Sequence, residues 1–167
     1  PKIFSERLAG FTGGTAAGAG MLVSVVYLCA MGAQLAGGHL ADRHSMRGIY
    51  MLVYFLQSPL LVLAAGLSGL ALYPVVLIAV LLSTIAIPVE NSLLSHYSPE
   101  KWRGTAFGAK FALALGISAL GVPLVAFIRD STGDFFIYFL LLAALSLVIA
   151  AASLALPADR KSRPAEG

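Results

Sequence analysis

The chain has 167 residues, of which 59% are hydrophobic and 11% charged, and its formal net charge is +3. An ordinary soluble domain carries about 25% charged residues, and a chain this short has too little interior to hide so much apolar surface. These values exclude a soluble globular domain and leave the bilayer as the apolar solvent.

The charges are also distributed as a membrane protein requires. No residue is formally charged between Arg7 and Asp42, and none between Arg47 and Glu90. A helix needs about 20 apolar residues to cross a hydrocarbon core of about 30 Å. The first gap holds one span; the second holds two, divided by Gly66-Leu-Ser-Gly69 and Tyr73-Pro74. The pattern predicts helices over 14–38, 48–67, 73–96, 105–128 and 134–156. The fold class is therefore an all-α integral membrane bundle of five helices over 11–157, with an external loop at 1–10 and a cytoplasmic tail at 158–167. A closed β-barrel needs alternating strands, and runs such as Leu140 to Ala152 do not alternate.

Taken in chain order, the chain opens on Pro1 and its first apolar run is too long for a cleavable signal peptide. A further helix is expected upstream. Lone Cys29 falls mid-span without a disulfide partner and reads as a small buried thiol. Gly14 and Gly18 in the first span, and Gly104, Gly108, Ala112 and Gly116 in the fourth, recur four apart and predict close backbone approach. The fifth span, from Phe135, is nearly featureless and is expected to face lipid over much of its surface. Pro59, Pro88 and Pro123 are candidate kinks.

Loop charges set the expected orientation. Arg43, Arg47, Lys101, Arg103, Lys110, Arg160, Lys161 and Arg163 share one side, against Lys2, Arg7 and Arg129 on the other, eight to three. The positive-inside rule puts the C-terminus in the cytoplasm and the N-terminus outside; the expected setting is a cell membrane, in contact with lipid. Because topology explains the scattered cations, no nucleic-acid partner is expected.

The most informative segment is Gly38-His-Leu-Ala-Asp-Arg-His-Ser-Met-Arg47, read as a short loop between spans. It resembles the major facilitator superfamily signature Gly-x-Leu-Ala-Asp-Arg-x-Gly-Arg-Arg/Lys. Gly38, Leu40, Ala41, Asp42, Arg43 and Arg47 match in register, whereas Ser45 replaces Gly and Met46 a basic residue. Ser98-Pro-Glu-Lys-Trp-Arg-Gly-Thr-Ala-Phe-Gly108 looks like the superfamily's Pro-x-x-x-Arg-Gly-x-Ala-x-Gly stretch, one hairpin downstream. Leu115 to Pro123 and Asp130-Ser-Thr-Gly-Asp134 resemble the penultimate helix and its turn.

Over nearly the whole chain, the resemblance implies helices eight to twelve of a twelve-helix transporter. It implies a gate at Gly38, Asp42, Arg43, Arg47, Arg103 and Gly104, in which the carboxylate bonds to helix N-terminal amides and cations hold the interface. It also implies a small-molecule solute, alternating access of two halves, and a missing N-terminal half as partner. The segment Phe111 to Gly121 is loosely similar to proton-driven drug-efflux members, which implies a coupling proton.

Ionisable residues within spans are functional candidates by default. Glu90 lies about seven residues, or roughly 10 Å, before the end of the third span, and Lys110 about six residues, roughly 9 Å, into the fourth. Matched depth on antiparallel neighbours predicts a Glu90–Lys110 pair. Three readings stay open: a static ion pair, a snorkelling Lys110, or proton coupling and substrate binding. Ser24, Tyr27, Met31, Gln34 and Gly38 share one face of the first span, while Ser83, Thr84, Glu90 and Asn91 share a sector of the third. The resemblance places helices eight, ten and eleven around the central cavity, which favours Tyr27, Gln34, Glu90, Asn91 and Lys110 over Tyr54 or Tyr138. Interhelical hydrogen bonding is the plain alternative for each.

A membrane-embedded enzyme is the rival class. His39, Asp42, His44 and His96 lie toward one side, but their spacing matches no tetrahedral set. The glycines from Gly13 to Gly20 lack the following Lys-Ser/Thr of a phosphate-binding loop. No metal, cofactor or catalytic residue is assigned. A non-transporting structural or sensory bundle is the third class.

Overall fold

The computed structural model describes residues 2–13 and 15–156. Two short helices, α1 (Lys2–Arg7) and α2 (Ala9–Thr12), precede five long ones: α3 (Ala16–Arg43), α4 (Met46–Gly66), α5 (Leu72–Tyr97), α6 (Arg103–Thr132) and α7 (Phe136–Ser153). Single 3-10 turns, Gly69–Ala71 and Glu100–Trp102, lead into α5 and α6. All five long helices are long and apolar enough to cross a membrane, and no strand occurs among the described residues. The expected tail from 158 lies outside the described residues, as does Gly14 of the first glycine pair.

The ends of the helices follow local chemistry. Thr15 caps α3, its Oγ1 accepting from the Gly18 amide at 3.1 Å. Gly133 closes α6 in the left-handed region at φ 75°, donating back to the Arg129 carbonyl. Two boundaries differ from expectation. Residues 2–12 are mostly helical rather than an irregular loop. Helix α3 runs on to Arg43, because nothing from Gly38 to Arg43 breaks it, and only His44 and Ser45 separate it from α4. The signature is thus the last turns of α3, a two-residue link and the first two residues of α4, not a loop.

Packing is uneven. Helix α4 lies between α5 and α7, and α3 packs on the other side of α5. The α4–α7 seam uses small residues: buried Ser58 donates to the Ala143 carbonyl at 3.1 Å, and Ala143, Ser146 and Ala150 are buried along α7. The rest of α7 is largely exposed, so one face of this last span packs on α4 while much of its surface stays open. Between α3 and α5 the closest approach is at Gly37, where an added Cβ would stand 2.6 Å from the Ile85 carbonyl oxygen.

Helix α6 touches the bundle mainly at its two ends. Residues 111–120 are all exposed, and a Cβ added at Gly104, Gly108 or Gly116 would meet nothing within 4 Å. The expected close-packing face of this helix has no partner among the described residues. Cys29 is likewise exposed on α3 rather than buried, since the face of α3 that packs is the one carrying Ala19, Val26, Ala30 and Gly37.

At the end of the bundle away from Asp42, Arg7 acts as a tie. Its guanidinium donates to the carbonyls of Ala64, Ala65 and Leu67, which α4 leaves unsatisfied at its C-terminus. It also reaches Asp134 Oδ1 at 2.7 Å and lies over the Phe139 ring. Alongside, Arg129 pairs with Glu6 at 2.8 Å.

Candidate functional site

One set of polar side chains gathers at two levels of the Asp42 end. At the end itself, Asp42, Ser92, Ser95, His96 and Arg103 line a recess of about 360 Å³, closed on one side by Ala41 and Met46. Arg103 Nε donates to the Ser95 carbonyl at 3.2 Å, securing the start of α6 to the end of α5, and its Nη1 stands 4.0 Å from Glu100. Arg47 donates to the Leu154 carbonyl at 2.7 Å, placing a cation at the C-terminal end of α7. These two arginines therefore tie the ends of four helices in two pairs, α5 to α6 and α4 to α7. Arg43 and Gly104 are exposed, and Gly38 is half-buried. Asp42 is exposed and makes no hydrogen bond among the described residues, so the helix-amide contact that the signature implies is not formed among them.

Deeper between α5 and α6, Lys110 Nζ lies 3.3 Å from Glu90 Oε1 and 2.5 Å from Asn91 Oδ1. The Arg103–Ser95 and Lys110–Asn91 contacts advance along α6 as they retreat along α5, which is antiparallel register. Lys110 is the better buried partner, 20% exposed against 39% for Glu90. A carboxylate, an amide oxygen and an ammonium thus meet inside the apolar length of two helices, with Glu90 still open on one side. Across α5, Tyr50 and Tyr54 pack edge to face with ring centres 4.9 Å apart, against a buried cluster that includes Val89 and Leu93.

Only part of the expected site is brought together. Glu90, Asn91 and Lys110 form one cluster. Tyr27 lies elsewhere, on a second cavity of about 480 Å³ bounded by α1, α3, α4, α5 and α7, together with Gln57, Ser83 and Tyr138. Gln34 lines neither recess and is exposed on α3. The α3 face of Ser24, Tyr27, Met31 and Gln34 is open along its length. Among the described residues His39, Asp42, His44 and His96 do not form a group that could hold a metal ion.

Two features were not reached from the sequence. Gln57 carries no distinguishing pattern there, and Arg7 reads only as a topology charge. An arginine just before a long apolar run, facing the end of another, is the signal that points to its capping role.

The family model of the Major Facilitator Superfamily matches residues 3–167. The chain belongs to that superfamily. Its members are membrane transporters, and five apolar helices make this chain a multi-pass integral membrane protein. No curated protein matches the chain. Membership gives the two-arginine end and the Glu90–Asn91–Lys110 cluster their setting: polar groups in the spans of a transporter, where desolvation keeps unpaired charge rare.

Proposed function

We propose that this chain is part of the C-terminal half of a secondary transporter, and that the whole moves a small solute by alternating access. The observation that carries the reading is the Glu90–Lys110 pair inside two spans of a superfamily member, with Glu90 open on one side. In this reading the pair is the coupling centre. Protonation of Glu90 discharges it, frees Lys110 to remain on Asn91, and loosens the α5–α6 contact so that the two halves can rock. Asp42, Arg43, Arg47, Arg103, Gly38 and Gly104 form the gate at the cytoplasmic end, Asp42 finding its helix-amide partner on the other half. The open α3 face with Tyr27 and Gln34, and the exposed middle of α6, line the interface with that half and the solute path.

The orientation follows the charge count, with the Asp42 end and the C-terminus in the cytoplasm. Small-molecule cargo with proton antiport is the subclass to which the α6 sequence is similar.

Reconstitution in liposomes tests this. The chain alone, and the chain with its companion half, are given ethidium as probe and an imposed proton gradient. Gradient-driven ethidium flux is expected only when both halves are present, and Glu90→Gln abolishes its dependence on the gradient. Flux through the chain alone overturns the half-transporter reading. Unchanged proton dependence in Glu90→Gln removes the coupling role and leaves a static pair.

A further inference from the structure

The cavity bounded by α1, α3, α4, α5 and α7 is separate from both the gate and the Glu90 cluster, and of its lining only Tyr27 enters the transport reading. At about 480 Å³ it falls in the range of small-molecule sites, roughly 300–1,000 Å³. Leu61 and Phe139 are among its apolar walls, and no charged residue lines it. Its polar groups are the Gln57 amide and the hydroxyls of Tyr27, Ser83 and Tyr138.

Those groups are unequally satisfied. The Ser83 hydroxyl is engaged with the Ala79 and Val80 carbonyls of its own helix. Tyr27 and Tyr138 make no hydrogen bond among the described residues. Gln57 Nε2 donates to the Ala79 carbonyl at 3.4 Å, and its Oε1 is buried with no partner. The amide cannot be reversed, because the Ala79 carbonyl accepts only and would repel an oxygen. An amide oxygen left unpaired in an apolar interior is costly, and a native structure normally supplies a donor for it. Oε1 is closed off as it stands, so bonding to an occupant requires the amide to turn about its terminal torsion, which is broad in Gln, at the expense of the long contact that Nε2 makes.

We propose that this cavity is a binding site for an uncharged, largely apolar molecule bearing one N–H or O–H donor, which bonds to Gln57 Oε1. The absence of charge in the lining disfavours ions, because nothing there replaces their hydration. A purely apolar occupant would leave the oxygen unpaired. A water molecule needs two to four polar partners in reach and would fill only a small part of the space. The proposal concerns binding and does not rest on the transport reading.

The test uses the full chain in lipid nanodiscs, with empty nanodiscs as the partition control, and 1-naphthol and 1-methoxynaphthalene as probes. The two differ little in shape, but only the first can donate. Fluorescence titration is expected to give saturable 1-naphthol binding about tenfold tighter than that of the methyl ether, the order of one neutral hydrogen bond. Gln57→Leu lowers 1-naphthol affinity by about that factor and leaves the ether unchanged. Equal affinities for the two probes in the wild-type chain overturn the proposal and point to lipid chains or water in the cavity. So does a preference for 1-naphthol that survives in Gln57→Leu, or binding no greater than in empty nanodiscs. The wild-type comparison decides the matter even if the variant fails to fold.

Discussion

Lys110 Nζ of α6 stands 3.3 Å from Glu90 Oε1 and 2.5 Å from Asn91 Oδ1, both on α5. Along the whole of 111–120 α6 is exposed, so this cluster and the ends of the helix are what secure it. Removing one partner leaves a lone charge in an apolar stretch, which costs more than losing the pair. Glu90→Gln or Lys110→Met should each destabilise the chain by about 1–3 kcal/mol, less than for a fully buried pair because Glu90 is partly open. The double variant should cost less than the sum of the two. Thermal unfolding of the four proteins in detergent gives the cycle; additive losses would show that the two side chains do not couple.

The Arg7 tie predicts a pH dependence. The hydrogen bond from Arg7 holds the Asp134 carboxyl below its ordinary pKa, against the smaller opposing effect of burial. A carboxylate whose folded-state pKa is depressed contributes stability above its unfolded value, about pH 4, and loses it as pH falls through the folded value. Asp134 is more than half exposed, so solvent screening keeps the contribution small. Thermal midpoints should therefore fall in the wild type as the pH drops below about 4. In Asp134→Asn that particular acid-dependent loss should be absent. Arg7→Gln should cost more than Asp134→Asn, since it also leaves the carbonyls of Ala64, Ala65 and Leu67 without their donor.

Much of this architecture was legible because the bilayer demands it. Uncharged runs between charge islands give the five helices, and depth from the membrane surface pairs Glu90 with Lys110. What the sequence hid depends on which face each helix turns to its neighbours. Gly37 and Gly38 are equally small, and only the helix rotation puts the first against Ile85 and leaves the second free. The glycine spacing of α6 reads as a packing face, yet among the described residues nothing packs there. Tyr27, Gln57 and Tyr138 meet at one cavity although they come from three separate helices. Gly38 and the charges of Asp42 and Arg43 look like a turn in the sequence, yet α3 continues to Arg43 because nothing before His44 stops it.

Ser58 tests the α4–α7 seam. Its hydroxyl is buried and donates to Ala143 across the interface. Interhelical hydrogen bonds of this kind in membrane proteins contribute about 0.6 kcal/mol, so Ser58→Ala should shift the midpoint only slightly. Ser58→Leu adds volume where helices meet through small residues and should cost about 1–3 kcal/mol. A large loss in Ser58→Ala would mean that the hydroxyl has a role beyond this bond.

Gly37 supplies the sharpest contrast with its neighbours. A Cβ at this position would lie 2.6 Å from the Ile85 carbonyl oxygen and 2.9 Å from Pro88 Cγ, and the nearer of these is backbone that cannot swing aside. Gly37→Ala must push α3 away from α5 and should cost about 1–3 kcal/mol, the range for overpacking. At Gly38 and Gly108 a Cβ meets nothing within 4 Å, and both lie inside helices. There the change to Ala should stabilise the isolated chain by about 0.5–1 kcal/mol through helix propensity alone. Thermal unfolding of the three variants in nanodiscs measures the difference. If Gly108→Ala is neutral or stabilising in the chain alone but impairs flux in the complete transporter, the small-residue face of α6 packs against the other half. If it destabilises the chain alone, α6 packs against this bundle more closely than the exposed middle of the helix indicates.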